Sequence, residues 1–278
     1  MKQSIPLTFL CLASYKKGED FLIKCKELGN RVLLVTSESL MHENWPKEYI
    51  DEIFYVPDNN NEWNMDEVIN SISFLARTEK IDRIIAIDDF DVEKAAKLRE
   101  HLRIGGMGET TARYFRDKLA MRKKAKDDII SIPDFVHVLN HGEINIFLDS
   151  HKPPYILKPR SQAGAIGIKK LHSKEEAWEA INRLGDQQSY YLIEQFIEGE
   201  IFHVDSIIFD YEVKLALAHQ YTLPPFEVAH QGRVFFFFFV KKGSEDEIGL
   251  IKINNAVIKS LGLKKGVSHT EFIKGRDG

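Results

Sequence analysis

The sequence of 278 residues contains only two cysteines, Cys11 and Cys25, and lacks several features that mark specialised classes of protein. Two thiols alone make neither a disulfide scaffold nor a thiolate zinc site, and they suit a reducing compartment, so we expect a cytoplasmic protein. No apolar run approaches the ~18 residues of a membrane-spanning helix, so no membrane partner is expected. Lys plus Arg number 38 against 42 Asp plus Glu, a net charge of −4, so no nucleic-acid partner is expected.

Several catalytic and nucleotide-binding signatures are also absent. The chain has no G-x-x-x-x-G-K-[ST] motif, no H-E-x-x-H motif and no G-x-S-x-G motif, which argues against a P-loop enzyme, a zinc protease and a serine hydrolase. The turn after the first predicted strand, residues 14–18, lacks the G-x-G-x-x-G pattern. We therefore expect no nicotinamide or flavin dinucleotide on the N-terminal sheet.

The first hundred residues alternate between strand and helix patterns. Apolar runs at residues 5–12, 32–35, 53–56 and 84–87 predict strands, and apolar residues at helical spacing lie between them. The first run, within residues 1–14, has a weak signal-peptide character, but a buried strand explains it better because no cleavage site follows. The order predicts an α/β domain over residues 1–105, with a parallel sheet and helices on both faces.

The pattern changes after the glycines at residues 105–108. One long polar helix is predicted over residues 110–127. Capping signals start a second helix at Ser173, and a third, over residues 248–261, ends at Gly262. Strands are predicted at residues 135–138, 155–158, 166–171, 190–195, 202–209, 213–221 and 233–240. Separate strands and helices indicate an α+β domain over residues 106–278.

Five consecutive phenylalanines occupy residues 235–239. In a half-buried strand alternate rings would face water, so the run favours a core strand covered on both faces. An interface is the alternative interpretation.

A lysine followed by a loop of small residues is the first pattern that suggests chemistry. The apolar strand around residues 155–158 ends in Lys158, and the loop at residues 161–167 is rich in Gly, Ala and Ser. Backbone N–H groups approach phosphate oxygens where side chains are small, and the lysine supplies a positive charge. A phosphate-binding loop and a plain hairpin with a surface lysine both fit this pattern.

Two further patterns lie towards the C-terminus. An apolar strand at residues 192–197 runs into an acidic bend around Gly199, which suits either a nucleotide-binding hinge or an ordinary strand end. Beyond it, His203 and Asp205 share one face of a predicted strand, as do His269 and Glu271 of another. A carboxylate on a rigid strand is a suitable ligand for a divalent cation.

The order of these motifs resembles the ATP-grasp superfamily. Four segments carry the resemblance: Lys118, the Lys158 strand with its loop at residues 161–167, residues 194–200, and residues 269–272. Within the superfamily the chain looks most like the carboxylate–amine ligase and biotin-carboxylase-like branch. The resemblance implies a Rossmann-like pre-ATP-grasp domain at residues 1–105. An ATP-grasp domain would follow at residues 106–278, with a lid lobe at about 130–194 and a C-terminal lobe at about 195–278.

The resemblance also implies roles for matching positions. Lys158 and Arg233 would be catalytic, with Arg233 near the acceptor, and Glu271 would bind Mg²⁺, for which Mn²⁺ is an alternative. The residues that would bind ATP share positions with the family's phosphate, adenine and ribose contacts: Lys118, Lys158, Ser161, Gly164, Gly167, Glu194, Gln195, Phe196, Ile197, Glu200 and His203.

The function implied is an ATP- and Mg²⁺-dependent ligase. It would activate a small carboxylate as an acyl phosphate and join it to an amine, with ATP and the two small molecules as partners and a homodimer left open. The family's second metal-binding glutamate follows on a further strand, so we expect this sequence to end before that strand and its catalysis to depend on the segment. The alternatives are a non-catalytic, regulatory ATP-binding module and a biotin-carboxylase-like subunit.

Overall fold

The computed structural model describes residues 5–60, 62–163, 166–224, 228, 234 and 236–276. The chain divides into two compact units, unit 1 (Met1–Arg116) and unit 2 (Asp117–Gly278). The helix at Glu109–Arg116 therefore belongs to unit 1. The functional domain limits expected from the sequence, 1–105 and 106–278, stay a prediction.

Unit 1 is an α/β unit built on a parallel sheet. Its elements are β1 (Thr8–Ala13), α1 (Glu19–Glu27), β2 (Arg31–Ser37), β3 (Glu52–Val56), β4 (Asp58–Asn59), β5 (Glu62–Trp63), α2 (Met65–Leu75), β6 (Arg83–Ala86), α3 (Val92–Leu102) and α4 (Glu109–Arg116). Four strands pair in parallel in the order β3-β2-β1-β6. The α/β prediction is confirmed.

The core of unit 1 lies on both faces of this sheet. Successive residues of a strand point to opposite faces, so Leu10 and Leu12 pack into one apolar layer, whereas Cys11 and Ala13 pack into the other. All four side chains are fully buried. Burial on both faces explains why the strands read as continuous apolar runs rather than alternating ones.

Unit 2 contains two antiparallel sheets. Its elements are α5 (Lys118–Asp127), β7 (Phe135–His137), α6 (His141–Ser150), β8 (Tyr155–Pro159), β9 (Lys169–Leu171), α7 (Lys174–Arg183), β10 (Tyr191–Gln195), β11 (Glu200–Phe209), β12 (Glu212–Tyr221), β13 (Phe237–Phe239), α8 (Glu245–Leu261) and β14 (Lys265–Lys274). The first sheet has the order β7-β10-β8-β9, and its core includes residues of α6 and α7. The second has the order β13-β12-β11-β14, and Leu250 of α8 packs against it.

The hairpin that joins β11 to β12 sets the register of the second sheet. Its two central residues, Asp210 and Tyr211, have φ of 52° and 65°, as the central residues of a type I′ turn do. A β-bulge in β12, whose extra residue is Lys214, then shifts the pairing by one residue between Ile207 and Ile208. Beyond the bulge, His203 is opposite His219.

One predicted helix is two helices in the structure. The prediction of a single helix over residues 110–127 is wrong because Asp117, with φ −93° and ψ 107°, starts α5 as its N-cap. Its carboxylate accepts hydrogen bonds from the N–H groups of Leu119 and Ala120, which compensates for the broken helical pattern. None of the helices in the described ranges combines the length and the apolar character needed to cross a bilayer.

The phenylalanine run forms an edge strand rather than a core strand. Phe237–Phe239 pairs with β12 on one side only, and the rings of Phe236, Phe237, Phe238 and Phe239 are 52–68% exposed. Phe235 lies outside the described residues. The strand prediction is confirmed for 237–239, whereas the predicted burial is wrong, because a run of apolar residues alone does not say whether a second layer covers them.

Candidate active site

Lys158 occupies a dry position at the end of β8. The strand buries Tyr155 and Leu157 in the lobe's core, and the alternation of a strand turns Lys158 to the opposite face. There its ammonium forms an ion pair with Glu194, and its side chain is only 13% exposed. Burial lowers the pKa of Lys158, although Glu194 and the more distant Glu271 oppose that effect. A poorly hydrated ammonium that a carboxylate keeps charged is suited to binding an incoming anion.

Glu194 is held between two cations. One of its oxygens accepts a 2.8 Å hydrogen bond from Nε of Arg122, and the other pairs with Lys158. Burial alone would raise the pKa of Glu194, but the two cations lower it, so the carboxylate is ionised. Sequence analysis missed Arg122, although it follows Lys118 by one helical turn and so lies on the same side of α5.

Lys118 connects the start of α5 to the small-residue loop. Its backbone N–H donates to the carbonyl oxygen of Arg160 at 2.9 Å, and its ammonium donates to the carbonyl oxygen of Gln162. The guanidinium of Arg160 pairs with Asp117, the N-cap of the same helix. The side chain that the sequence assigns to phosphate binding therefore lies beside the loop, while Lys158 lies beneath it on β8.

The loop itself is only partly described. Ser161 is exposed at its start, and Gly167 near its end has φ of 74°, a conformation that a side chain would strain. Gly164 lies outside the described residues, as does the predicted catalytic residue Arg233. The roles of these four residues stay predictions.

In the predicted hinge at the end of β10, the first two backbone N–H groups already donate hydrogen bonds within the protein. The N–H of Gln195 donates to Asp134 at 2.9 Å, and the N–H of Phe196 donates to Pro154 at 3.3 Å. The ammonium of Lys170 lies 3.8 Å from the ring centre of Phe196, a cation–π contact. An adenine contact at these two positions therefore needs carbonyl oxygens or side chains rather than these N–H groups.

The next predicted contacts lie at the start of β11. Ile197 is half-buried, and Glu200 is exposed, with one carboxylate oxygen 2.8 Å from the amide nitrogen of Gln220. This position is open to solvent, which suits a ribose contact.

Glu271 lies on β14, directly opposite His203 of β11. Its carboxylate accepts a 3.4 Å hydrogen bond from the hydroxyl of Tyr221. Burial and the adjacent Glu271 raise the pKa of Tyr221, which keeps the phenol protonated and able to donate. Glu271 is exposed and affects the pKa of Lys158 on the other sheet. A cationic side chain of the first sheet and a metal-type carboxylate of the second therefore interact electrostatically.

His203 is buried, at 2% exposure, in a group of rings. Its ring centre is 4.6 Å from that of His219 and 4.6 Å from that of His269. Burial, together with the neighbouring His269, lowers the pKa of His203 to about 4, so its imidazole is neutral at pH 7. Sequence analysis missed His219, since the bulge on β12 that brings it opposite His203 has no sequence signal.

Comparison with known proteins shows which proteins this chain resembles. No family model matches the chain. An L-arginine-specific L-amino acid ligase of Bacillus subtilis is 25% identical over 203 residues, which are 71% of this chain and 49% of that protein. The chain thus spans about half the length of this curated relative.

Two solved structures resemble the chain over nearly its whole length. An L-amino acid ligase from Bacillus licheniformis matches 99% of this chain and 65% of its own, with a TM-score of 0.77 and 17% identity. The biotin carboxylase domain of a Hydrogenobacter thermophilus 2-oxoglutarate carboxylase, solved with MgADP and bicarbonate, matches 99% and 62%, with a TM-score of 0.75 and 16% identity.

These likenesses confirm the fold expected from the sequence. The chain has an ATP-grasp fold preceded by an α/β unit, the architecture that carboxylate–amine ligases and biotin carboxylases share.

Proposed function

We propose that unit 2 binds ATP and that the protein uses it to join a small carboxylate to an amine. The observation that carries the proposal is the dry Lys158 on β8, with Glu271 of β14 close enough to affect its pKa. A lysine and a metal-binding carboxylate on the two sheets of one unit are the groups that neutralise a charged phosphate chain. The likeness to an L-amino acid ligase supports an amino acid as the carboxylate.

The residues act by holding and neutralising phosphates. Lys158 and Lys118 bind phosphate oxygens, Ser161, Gly164 and Gly167 cover them, and residues 194–197 hold the adenine. Glu194 keeps Lys158 oriented, and Glu200 takes the ribose hydroxyls with His203 beside it. Arg233, which is outside the described residues, keeps its predicted role at the acceptor.

The reaction proceeds in two displacements. A carboxylate oxygen of the substrate attacks the γ-phosphorus, the bond to the bridging oxygen breaks, and ADP leaves behind an acyl phosphate. The amine then attacks the carbonyl carbon, inorganic phosphate departs with the C–O bond electrons, and the nitrogen loses a proton. Water must be excluded between the two steps, since it would hydrolyse the acyl phosphate.

Glu271 fits the role of a magnesium ligand. It is an exposed oxygen donor on a rigid strand, and Mg²⁺ takes one or two carboxylates together with substrate phosphates. When bound, the ion neutralises charge on the phosphate oxygens, and Mn²⁺ would serve the same purpose. The free, buried thiols of Cys11 and Cys25 support a cytoplasmic location.

The test compares two lysine variants of the full-length protein. Lys158→Met keeps the length of the side chain without its charge and should weaken MgATP binding by roughly ten- to a hundredfold, the loss of one charge-assisted contact. Lys152→Ala, at an exposed lysine of unit 2, should leave the affinity unchanged. Unfolding curves show whether either variant is merely destabilised. Equal affinity in a folded Lys158→Met variant would refute the ATP site.

A second measurement tests the reaction. Incubation with ATP, Mg²⁺, hydroxylamine and a panel of amino acids should release ADP and form the amino acid hydroxamate, because hydroxylamine traps an acyl phosphate. ADP release that requires bicarbonate instead would favour the biotin-carboxylase alternative. ATP binding without ADP release under any of these conditions would favour a regulatory module.

A further inference from the structure

Three histidines surround one aspartate on one face of the second sheet. Asp205 on β11 accepts a 2.8 Å hydrogen bond at Oδ1 from Nδ1 of His269. Its Oδ2 lies 3.4 Å from Nε2 of His203 and 3.5 Å from Nδ1 of His219. Imidazole nitrogens from three adjacent strands therefore converge on a single carboxylate.

The backbone itself creates this convergence. His203 and Asp205 are two residues apart on β11 and so share a face, and β14 places His269 directly opposite Asp205. Residues directly opposite each other on antiparallel strands have Cβ atoms about 4.5–5.5 Å apart. The bulge on β12, whose extra residue is Lys214, adds His219 opposite His203, where the turn's own register would have placed Ala218. The cluster is thus fixed by strand pairing rather than by flexible loops.

The cluster has the donors and spacing of a metal site. One ligand atom each from His203, Asp205 and His269 lies within 4.8 Å of the others. Ligand atoms at about 2.0–2.2 Å from a Zn²⁺ ion lie about 3–3.5 Å from one another. Side-chain movements of about an ångström would bring the three ligand atoms to these distances. The side chains of Asp205 and His269 are 46% and 51% exposed, which gives an ion a path from solvent.

The surroundings of the cluster favour a soft, partly dehydrated ion. Nδ1 of His203 and Nδ1 of His219 are buried and have no hydrogen-bond partner within the described residues. The ring of Phe237 lies 5.0 Å from that of His203, and the ring of Phe239 lies 4.5 Å from that of His219. Imidazole ligands suit Zn²⁺, Ni²⁺, Cu²⁺ and Fe²⁺, whereas Mg²⁺ prefers oxygen ligands throughout.

We propose that His203, Asp205 and His269 form a binding site for a divalent transition-metal ion of the Zn²⁺ class, with His219 lining it. The ligand set differs from the magnesium position at Glu271, which adjoins it opposite His203 on β14. It has two nitrogen donors, and the group of residues that converge within 4.8 Å does not include Glu271. The inference does not depend on the proposed ligase activity.

The experiment measures metal binding to the complete, chelator-treated protein. Calorimetry with Zn²⁺ in excess Mg²⁺ should show one ion per chain. Co²⁺ should give visible absorption bands that Zn²⁺ abolishes. Asp205→Asn and His269→Ala should each weaken Zn²⁺ binding by at least about ten- to a hundredfold, since even outer-shell changes around a metal cost that much. His101→Ala, at an exposed histidine of α3, is the matched control and should bind Zn²⁺ normally.

A further variant separates this site from the ATP site. Glu271→Gln should weaken the binding of MgATP and leave Zn²⁺ binding within about twofold of the native chain, a change of under about 0.5 kcal/mol. The proposal is overturned if the native chain binds no Zn²⁺, or if folded Asp205→Asn and His269→Ala bind it as the native chain does. It is also overturned if Glu271→Gln loses Zn²⁺ as they do. Circular dichroism in metal-free buffer confirms that each variant is folded.

Discussion

At the residue scale, Glu194 shows how unit 2 stabilises cationic side chains that are largely excluded from solvent. Its side chain is 5% exposed, and both of its oxygens face cations, Arg122 and Lys158. Breaking a buried ion pair by removing one partner costs about 3–5 kcal/mol, because the remaining charge is left without compensation. We therefore expect Glu194→Gln to lower the free energy of unfolding by that amount in urea titrations.

Arg122→Gln is the matched control for that prediction. It leaves Glu194 paired with Lys158, so each remaining charge still has a partner, and the arginine side chain is 20% exposed. The loss of stability should be clearly smaller than in Glu194→Gln. Equal losses in the two variants would show that the carboxylate does not compensate both cations.

His203 makes the stability of unit 2 depend on pH. Burial lowers its folded-state pKa to about 4, against about 6.5 in the unfolded chain. Between these values the unfolded chain binds the proton and the folded chain does not, so stability falls as the pH falls from about 6.5 to about 4. Above pH 6.5 both forms are neutral and the effect vanishes. The slope for one proton is at most about 1.4 kcal/mol per pH unit.

Hydrogen exchange of the β11 amides at pH 7 and pH 5 measures this effect. The variant His203→Gln removes the titrating group and keeps its titratable neighbours, which are Asp205, His219, Tyr221, His269 and Glu271. The native chain should lose more protection between the two pH values than the variant does. The same pH dependence in both would assign the effect to those neighbours.

Gly199 determines at the scale of elements how β11 and β14 meet. A Cβ atom at this position would lie 2.1 Å from the carbonyl oxygen of Lys274, at the end of β14, and backbone cannot move aside as a flexible side chain does. We expect Gly199→Ala to lower stability by about 1–3 kcal/mol, the usual cost of overpacking. Thermal unfolding in the absence of nucleotide measures it.

Gly249 provides the opposite substitution as a control. It is exposed in the middle of α8, and nothing lies within 4 Å of a Cβ atom added there. Because glycine is a poor helix former, Gly249→Ala should raise stability by about 0.5–1 kcal/mol. If Gly199→Ala leaves stability unchanged while Gly249→Ala raises it, then β14 moves to accommodate the added methyl group without loss of stability.

The elements also show what the sequence can predict and what it cannot. Local signals were sufficient for α7, because Ser173 accepts from the N–H of Glu176 as its pattern predicts. They failed at Asp117, where a residue compatible with a helix interior serves as a cap. The sequence did not indicate which residue pairs with His219, since its position depends on a bulge at Lys214 of β12 and on pairing with β11. The sequence placed candidate residues on their segments, and helical spacing alone puts Arg122 beside Lys118, whereas the ion pair of Arg122 with Glu194 and the position of His219 required the tertiary structure.

On the scale of the whole molecule, we expect unit 2 to bind a nucleotide and unit 1 not to bind one. Unit 1 has a parallel sheet, yet its first βα turn is filled: a Cβ on Gly18 would lie 1.8 Å from Cγ2 of Ile87. Glu19 and Asp20 occupy the first turn of α1, where a pyrophosphate would need to bind, and they repel an anion.

We therefore predict one nucleotide site per chain, for ATP and not for a dinucleotide. Calorimetry with MgATP should give a stoichiometry near one, and NADH fluorescence should not change on adding protein, even with the nucleotide at millimolar concentration. Saturating ATP serves as the control, since it should not alter the NADH signal. A second bound nucleotide that survives Lys158→Met, or any saturable NADH binding, would show that unit 1 accepts a nucleotide after all.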